Sequence, residues 1–170
     1  GCHGFQHFRR QGGGHDVPSF ATTAIWEFVS GYDIDGLVAC DPVEPPVNDD
    51  CGAATEIFAG QTPFSTVGSS DSGIPSALNC SRGNGPAVGA DVWFRFIAPC
   101  TGTFTISTCD AGFDSRIDVF DGTSGGPSPG ATPYTCGDEE CGDDASVSSL
   151  ALEGQVLLVR VGSSDGSVGD

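Results

Sequence analysis

A proline-rich stretch divides the chain into two parts with different patterns. Residues 41–47 read DPVEPPV, and three prolines in seven residues favour a stiff, extended linker. Before the linker, apolar residues recur at helical spacing from Phe20 to Val29; after it, from Val92 onward, they alternate with period two. The pattern therefore predicts a short helix-containing segment over 1–40 and a mainly β domain over 48–170.

Short strands bounded by Gly, Pro, Asp or Asn fill the second part. The alternation places Val92, Phe94 and Phe96 on one face and Trp93 on the other, where it is expected to be a core residue. Strands at spacings of about ten residues are typical of an antiparallel β-sandwich. The predicted strands start at Val92 and continue at 103–108, 116–120, 147–152 and 155–161, with weaker signals at 64–67 and 77–80.

Eight cysteines indicate an oxidising, extracellular location. Thiolate binding of zinc is the rival interpretation, but no C-x-x-C occurs and the histidines lie far from most of the cysteines. We expect three disulfides in the β domain and a link between the remaining two cysteines. The expected pairs are Cys51–Cys80, Cys109–Cys136, Cys100–Cys141 and Cys2–Cys40.

The strongly negative net charge argues against nucleic acid as a partner. Six arginines face 23 acidic residues, a formal net charge of −17, so the basic clusters that bind nucleic acid are absent. No apolar run reaches the ~18 residues of a membrane-spanning helix. The chain contains no methionine, from which we expect a processed chain or a fragment of a larger protein.

A glycine loop carries a histidine in the first part. Residues 5–10 suit a short strand, the loop Gly12–Gly14 leads into His15, and Ser19 is a helix N-cap ahead of Phe20–Val29. A histidine on such a loop can be aimed at a reacting group.

The phrases GGGHDVP and TAIWEFVSGY, in this order, resemble the C-terminal end of secreted α/β hydrolases of the polyhydroxybutyrate depolymerase and feruloyl esterase type. The resemblance covers about residues 1–32 and implies that His15 is the general base of a Ser–Asp–His triad. The implied substrate is an ester or polyester, and the nucleophile would lie upstream. The alternative is a surface-loop histidine without chemistry.

A second serine motif does not supply the nucleophile. Residues 122–126 fit G-x-S-x-G, but the following PSPG cannot begin a helix, and every histidine precedes Ser124. We therefore expect this chain alone to be inactive as an esterase.

The phrases NDDCGAA, ADVWFRFIAPCTGTFTISTC, FDSRIDVFDG and LLVRVG resemble the bacterial pre-peptidase C-terminal domain over about residues 47–170. That family consists of jelly-roll-like sandwiches appended to secreted hydrolases. The resemblance implies a role in substrate binding, secretion or stability. A closing strand normally follows a phrase like VGSSDGSVGD, so we expect the last strand of the fold to be missing.

Some members of that family bind calcium through an acidic stretch at the start of the domain. The resemblance implies Asn48 and Asp49 as ligands, with Asp71 and Asp91 approaching in space, because calcium takes six to eight oxygens. The alternative is that Asn48 and Asp49 form an Asx turn. A second acidic loop, 137–144, lacks EF-hand spacing and suits a solvated, disulfide-anchored turn.

Two functions remain open. In the first, the chain is the C-terminal part of a secreted carboxylester hydrolase, with His15 as the base and the β-sandwich as an accessory module. In the second, it is a non-catalytic secreted or cell-surface module for binding or adhesion, stabilised by disulfides and calcium. A zinc site made by His3, His7 and His15 matches no common ligand spacing.

Overall fold

Short β-strands make up most of the regular structure of the described residues. The structure is a computed structural model and describes residues 43–76, 80, 88–128 and 130–170. A 3-10 turn at Cys51–Ala53 precedes the strands. The strands are β1 Thr55–Ile57, β2 Gly89–Ile97, β3 Gly102–Ser107, β4 Ser115–Asp121, β5 Thr135–Asp138, β6 Ser146–Ala151 and β7 Val156–Ser163.

The strands form two sheets. A five-stranded sheet has the order β1-β2-β7-β4-β5, and a two-stranded sheet pairs β3 with β6. All pairs are antiparallel except β1 and β2, which run parallel, with Thr55 opposite Phe94. The prediction of a wholly antiparallel arrangement was therefore wrong at this edge, because the three-residue β1 carries too little pattern to reveal its direction.

The main core lies where the two sheets share apolar side chains. The five-stranded sheet contributes alternate residues of its central strands, and the two-stranded sheet contributes Phe104, Val147 and Ala151. Because successive side chains of a strand point to opposite faces, the period-two pattern alone selects this set. The contributors from the larger sheet are Val92, Phe94, Ile117, Val119, Leu157, Val159 and Val161.

A second apolar cluster occupies the opposite face of the large sheet. Trp93, Phe120 and Leu158 lie there with Ile74. Trp93 is fully buried, which confirms its prediction as a core residue. The large sheet is thus covered on both faces, which fits its nearly continuous apolar strands.

The five strong strand predictions are confirmed as β2, β3, β4, β6 and β7. The weaker prediction at 64–67 is wrong, since this segment forms no strand. The prediction at 77–80 lies mostly outside the described residues, as does the whole strand, loop and helix predicted for residues 1–40, including His15.

The expected disulfides of the β domain were wrong. Cys80 pairs with Cys136 and Cys109 pairs with Cys141, while Cys51 and Cys100 are free thiols. The fold explains the first pair, because Cys136 on β5 lies opposite Asp118 of β4, and Ser76, four residues before Cys80, donates a hydrogen bond to the same Asp118. The spacing of cysteines along the chain does not contain this neighbour relation.

Candidate functional site

One row of side chains crosses the outer face of the large sheet. Trp93 on β2 lies opposite Arg160 on β7, Arg160 lies opposite Asp118 on β4, and Asp118 lies opposite Cys136 on β5. Directly opposed residues of neighbouring strands point to the same face. The topology therefore brings an indole, a guanidinium, a carboxylate and a disulfide sulfur into one line.

Arg160 is the centre of this row. Its guanidinium contacts Asp118 at 2.5 Å and Asp91 at 3.6 Å, and it also donates to the carbonyl of Ile74. Its Cζ lies 5.8 Å from the ring centroid of Trp93 and 5.7 Å from that of Phe120. A fully buried cation between two buried carboxylates and two rings forms a closed electrostatic cluster.

Asn48 and Asp49 hold the start of the domain against the large sheet. The Asn48 side-chain amide donates to the carbonyl of Trp93 at 3.0 Å, and the Trp93 N–H donates to the carbonyl of Asn48 at 2.8 Å. The Asp49 carboxylate accepts from the Ser70 N–H at 2.6 Å and from the Ser70 hydroxyl at 2.9 Å. Both residues thus have defined structural contacts.

The Ser70–Gly73 loop connects Asp49 to the other two predicted ligands. Asp71 accepts from the N–H of Gly73 at 2.7 Å, the geometry of an Asx turn. Asp91 accepts from the Ser72 hydroxyl at 2.5 Å, and its own N–H donates to the carbonyl of Ser70 at 3.0 Å. Asp49, Asp71 and Asp91 therefore all accept hydrogen bonds from this loop.

A β-bulge positions Asp91. Gly89 pairs with Ser163 and Val92 pairs with Val161, so β2 has one residue more than β7 over this stretch, and Ala90 has a φ of 49°. Asp91 is fully buried, and its Oδ1 has no hydrogen-bond partner. Burial raises the pKa of Asp91 above its ordinary value, although the Ser72 hydroxyl and the Arg160 charge act in the opposite direction.

The predicted calcium ligands differ in their surroundings. Among the described residues, the acidic groups around the Ser70–Gly73 loop form no set of three ligand atoms within 4.8 Å of one another. Asn48 directs its amide nitrogen to Trp93, and Asp91 faces the Arg160 cation. Of the predicted ligands, Asp49 and Asp71 are the two whose carboxylates are not buried.

A different trio does meet that distance, but it is not a metal centre. Cys80, Asp118 and Cys136 bring their ligand atoms within 4.8 Å. The two sulfurs are joined in a disulfide, and Asp118 is paired with Arg160. Because metals bind the thiolate form of cysteine, the oxidised pair offers no such ligand.

A wide apolar groove opens beside the two-stranded sheet. It has a volume of about 790 Å³ and runs between β3, the inner face of the large sheet and the segment 57–64. Phe94, Phe96 and Phe104 lie along it, and Phe58 at its rim is 74% exposed. The groove can therefore accept an apolar ligand.

The two remaining motifs have structural roles. Asp138 of the acidic loop pairs with Arg116 at 2.8 Å, with both side chains buried, and Cys141 bonds Cys109. The G-x-S-x-G stretch at 122–126 forms a turn, and no helix follows it among the described residues. The rejection of Ser124 as a nucleophile agrees with this geometry.

Sequence reasoning missed the arginines. Arg116 and Arg160 sit in the middle of the apolar phrases SRIDVF and LLVRVG, and an arginine at such a position is buried only when it is paired. That signal predicts a nearby carboxylate, but it does not identify Asp138, Asp118 or Asp91 as the partners.

Comparison with known protein families, with curated proteins and with solved structures finds no match for this chain. No helix among the described residues is both long and apolar enough to cross a bilayer.

Proposed function

We propose that this chain is the C-terminal part of a secreted carboxylester hydrolase. His15 acts as the general base of its triad, and residues 48–170 are a jelly-roll-like β-sandwich of accessory type. The accessory role is supported by one observation above all. In the described domain the buried charged side chains of the large sheet are used in ion pairs, and no histidine follows His15 in the sequence.

The secreted location is supported by the disulfides. Cys80–Cys136 and Cys109–Cys141 each join segments that are distant in sequence, and such bonds persist in oxidising compartments. The strongly negative charge suits a soluble extracellular surface.

The test uses the longer protein that contains this chain. We expect a G-x-S-x-G elbow between a strand and a helix upstream of His15, with an acidic triad member between the two. In that protein, His15→Ala lowers kcat/KM for p-nitrophenyl esters by about 10³-fold or more, while His7→Ala leaves it nearly unchanged. The 170-residue chain alone shows no hydrolysis above its own His15→Ala variant.

A structural calcium ion is part of the proposal. Asp49 and Asp71 are the residues of the predicted set that fit it, because both carboxylates accept hydrogen bonds from the Ser70–Gly73 loop and neither is buried. Calcium would tie the start of the domain to the Ser70–Gly73 loop and so support the fold. It takes no part in the ester chemistry.

A second function is favoured by the apolar groove. A non-catalytic binding or adhesion module needs a surface that is concave and apolar, and the groove beside β3 is both. Upstream sequence made of further Cys-rich β repeats, with no serine elbow, would favour this function over the hydrolase.

A further inference from the structure

Strand β3 has an open edge. It pairs with β6 on one side, and no strand of the described residues lies on its other side. An edge of this kind presents a row of N–H and C=O groups that can bind another chain.

The hydrogen bonds around the pair show which groups face outward. The Thr108 N–H donates to the carbonyl of Ala145, so every second residue before Thr108 directs its backbone groups to β6. Leu150, opposite Thr103, accepts from the Tyr134 hydroxyl on the far side of β6. By this alternation, the N–H and C=O groups of Thr103, Thr105 and Ser107 point toward the open edge.

The apolar groove lies next to that edge. Phe104 and Ile106 of β3 form one wall, and Phe94 and Phe96 of β2 form the facing wall. An added strand would place every second side chain in this groove and the side chains between them in solvent.

The charged side chains that line the groove are all acidic. Its lining includes the carboxylates of Asp110 and Asp170 and no arginine or histidine. A ligand with lysine or arginine beside its apolar residues would complement this charge.

From these features, the geometry points to the β3 groove as a binding site for an extended peptide strand of a partner protein, with apolar residues at alternate positions and flanking basic residues. The strand adds to the open edge of β3 antiparallel, the arrangement that is slightly more stable per residue. Main-chain hydrogen bonds to Thr103, Thr105 and Ser107 give affinity, and the groove selects the side chains. This inference concerns the described domain alone and does not depend on the role of His15.

Other occupants fit these features less well. A lipid or polyester chain would fill the groove but leave the outward N–H groups of β3 without acceptors on a matched backbone. A second copy joined edge to edge would pair the backbones, but its Phe104 and Ile106 would point into its own core.

The experiment titrates the 170-residue chain with the acetylated and amidated peptide KTVTVTVTK, using fluorescence anisotropy. In antiparallel addition, the threonine amides of the peptide face β3 and the valine side chains enter the groove. We expect saturable binding that is weakened by more than about tenfold when the threonine amides are N-methylated, and little changed when the valine amides are methylated. Both methylated peptides keep the charge and the side chains of the parent.

Variants of the chain provide the matching test. Thr105→Pro removes an outward N–H without removing a backbone hydrogen bond to β6, whereas Thr105→Ala keeps this N–H. Both variants lose the hydrogen bond between the hydroxyls of Thr105 and Ser148, at 2.8 Å, so Thr105→Ala is the matched control. We expect the first to abolish binding and the second to preserve it, with circular dichroism confirming that both remain folded. If Thr105→Pro does not fold, the methylated peptides decide the question. Equal binding of the two methylated peptides, or a dimer of the chain that excludes the peptide, would overturn the inference.

Discussion

Gly162 on β7 lies directly against the β-bulge that carries Asp91. A Cβ at Gly162 would lie 2.9 Å from the Asp91 Cβ, 2.6 Å from Val88 Cγ1 and 3.0 Å from the Gly89 carbonyl oxygen. Real Cβ contacts are essentially never shorter than 3.0 Å, so a side chain at Gly162 would force its neighbours to shift. The bulge, and with it the burial of Asp91, depends on this close approach.

Replacing Gly162 tests the packing at the bulge. We expect Gly162→Ala to lower the free energy of unfolding by about 1–3 kcal/mol, because two backbones must separate to admit the methyl group. Gly102→Ala is the control, since a Cβ at Gly102 meets nothing within 4 Å. Urea unfolding measures both, and equal stabilities of the two variants would contradict the close approach.

Replacing Arg160 leaves two buried carboxylates without a cation. In Arg160→Met, Asp91 and Asp118 lose their common cation, and we expect the free energy of unfolding to fall by about 3–5 kcal/mol. Arg95→Met is the control: its pair with Glu56 is exposed, and we expect a change below about 1 kcal/mol. A small effect at Arg160 in urea unfolding would show that the cluster is hydrated.

The raised pKa of Asp91 predicts a pH dependence of stability. Below its ordinary pKa of 3.8, the carboxyl is protonated in both states. As the pH rises above 3.8, the unfolded chain ionises first, so the contribution of Asp91 to stability falls until the pH passes the folded pKa. The difference in unfolding free energy between the natural chain and Asp91→Asn should therefore decrease with pH over this range.

Asp121 provides a control of opposite sign. Hydrogen bonds from the N–H and hydroxyl of Thr123 lower the pKa of Asp121 below its ordinary value. The difference between the natural chain and Asp121→Asn should increase as the pH rises toward 3.8. Parallel trends for the two variants would show that general charge effects govern the result.

Disulfide mapping checks the pairing directly. Digestion without reduction should release peptides joined through Cys80–Cys136 and Cys109–Cys141. Iodoacetamide should label the exposed thiol of Cys100 in the native chain, and the half-buried Cys51 more slowly.

Replacing Cys109 and Cys141 by serine should lower the free energy of unfolding by about 2–4 kcal/mol. Recovery of a Cys100–Cys141 peptide would reject this pairing.

Calcium should raise the thermal midpoint of the domain, since a ligand that binds only the folded state stabilises it. We expect Asp49→Asn to remove this increment, and Asp91→Asn to keep it, because Asp91 faces Arg160 instead of solvent. Glu153→Gln, at an exposed turn, is the neutral control. An unchanged midpoint with calcium and with chelator would leave Asp49 and Asp71 as loop-fixing residues only.

The sequence predicted the strands that have strong alternation. In β2, Val92 and Phe94 enter the main core and Trp93 enters the opposite cluster, as period two requires. It missed β1 and β5, which have three and four residues and too little pattern. Their partners are chosen by the order of strands in the sheet, which is a property of the whole fold.

The contacts of the candidate calcium ligands could also be predicted only in part from the sequence. Asp71 and Asp91 both accept hydrogen bonds from the Ser70–Gly73 loop, but Asp91 also forms an ion pair with Arg160 on β7. This contact joins residues that are far apart in sequence and depends on β2 and β7 being neighbours. The groove depends on the open edge of β3, which also becomes visible only when both sheets are assembled.

The position of β7 governs when the domain can form. It is the last of the described strands in sequence, yet it lies in the middle of the large sheet, between β2 and β4. During synthesis, β2 and β4 cannot join until Ser163 has left the ribosome. Folding of this sheet is therefore delayed until its final segment has emerged, and a nascent chain that stalls earlier remains an open substrate for chaperones or proteases.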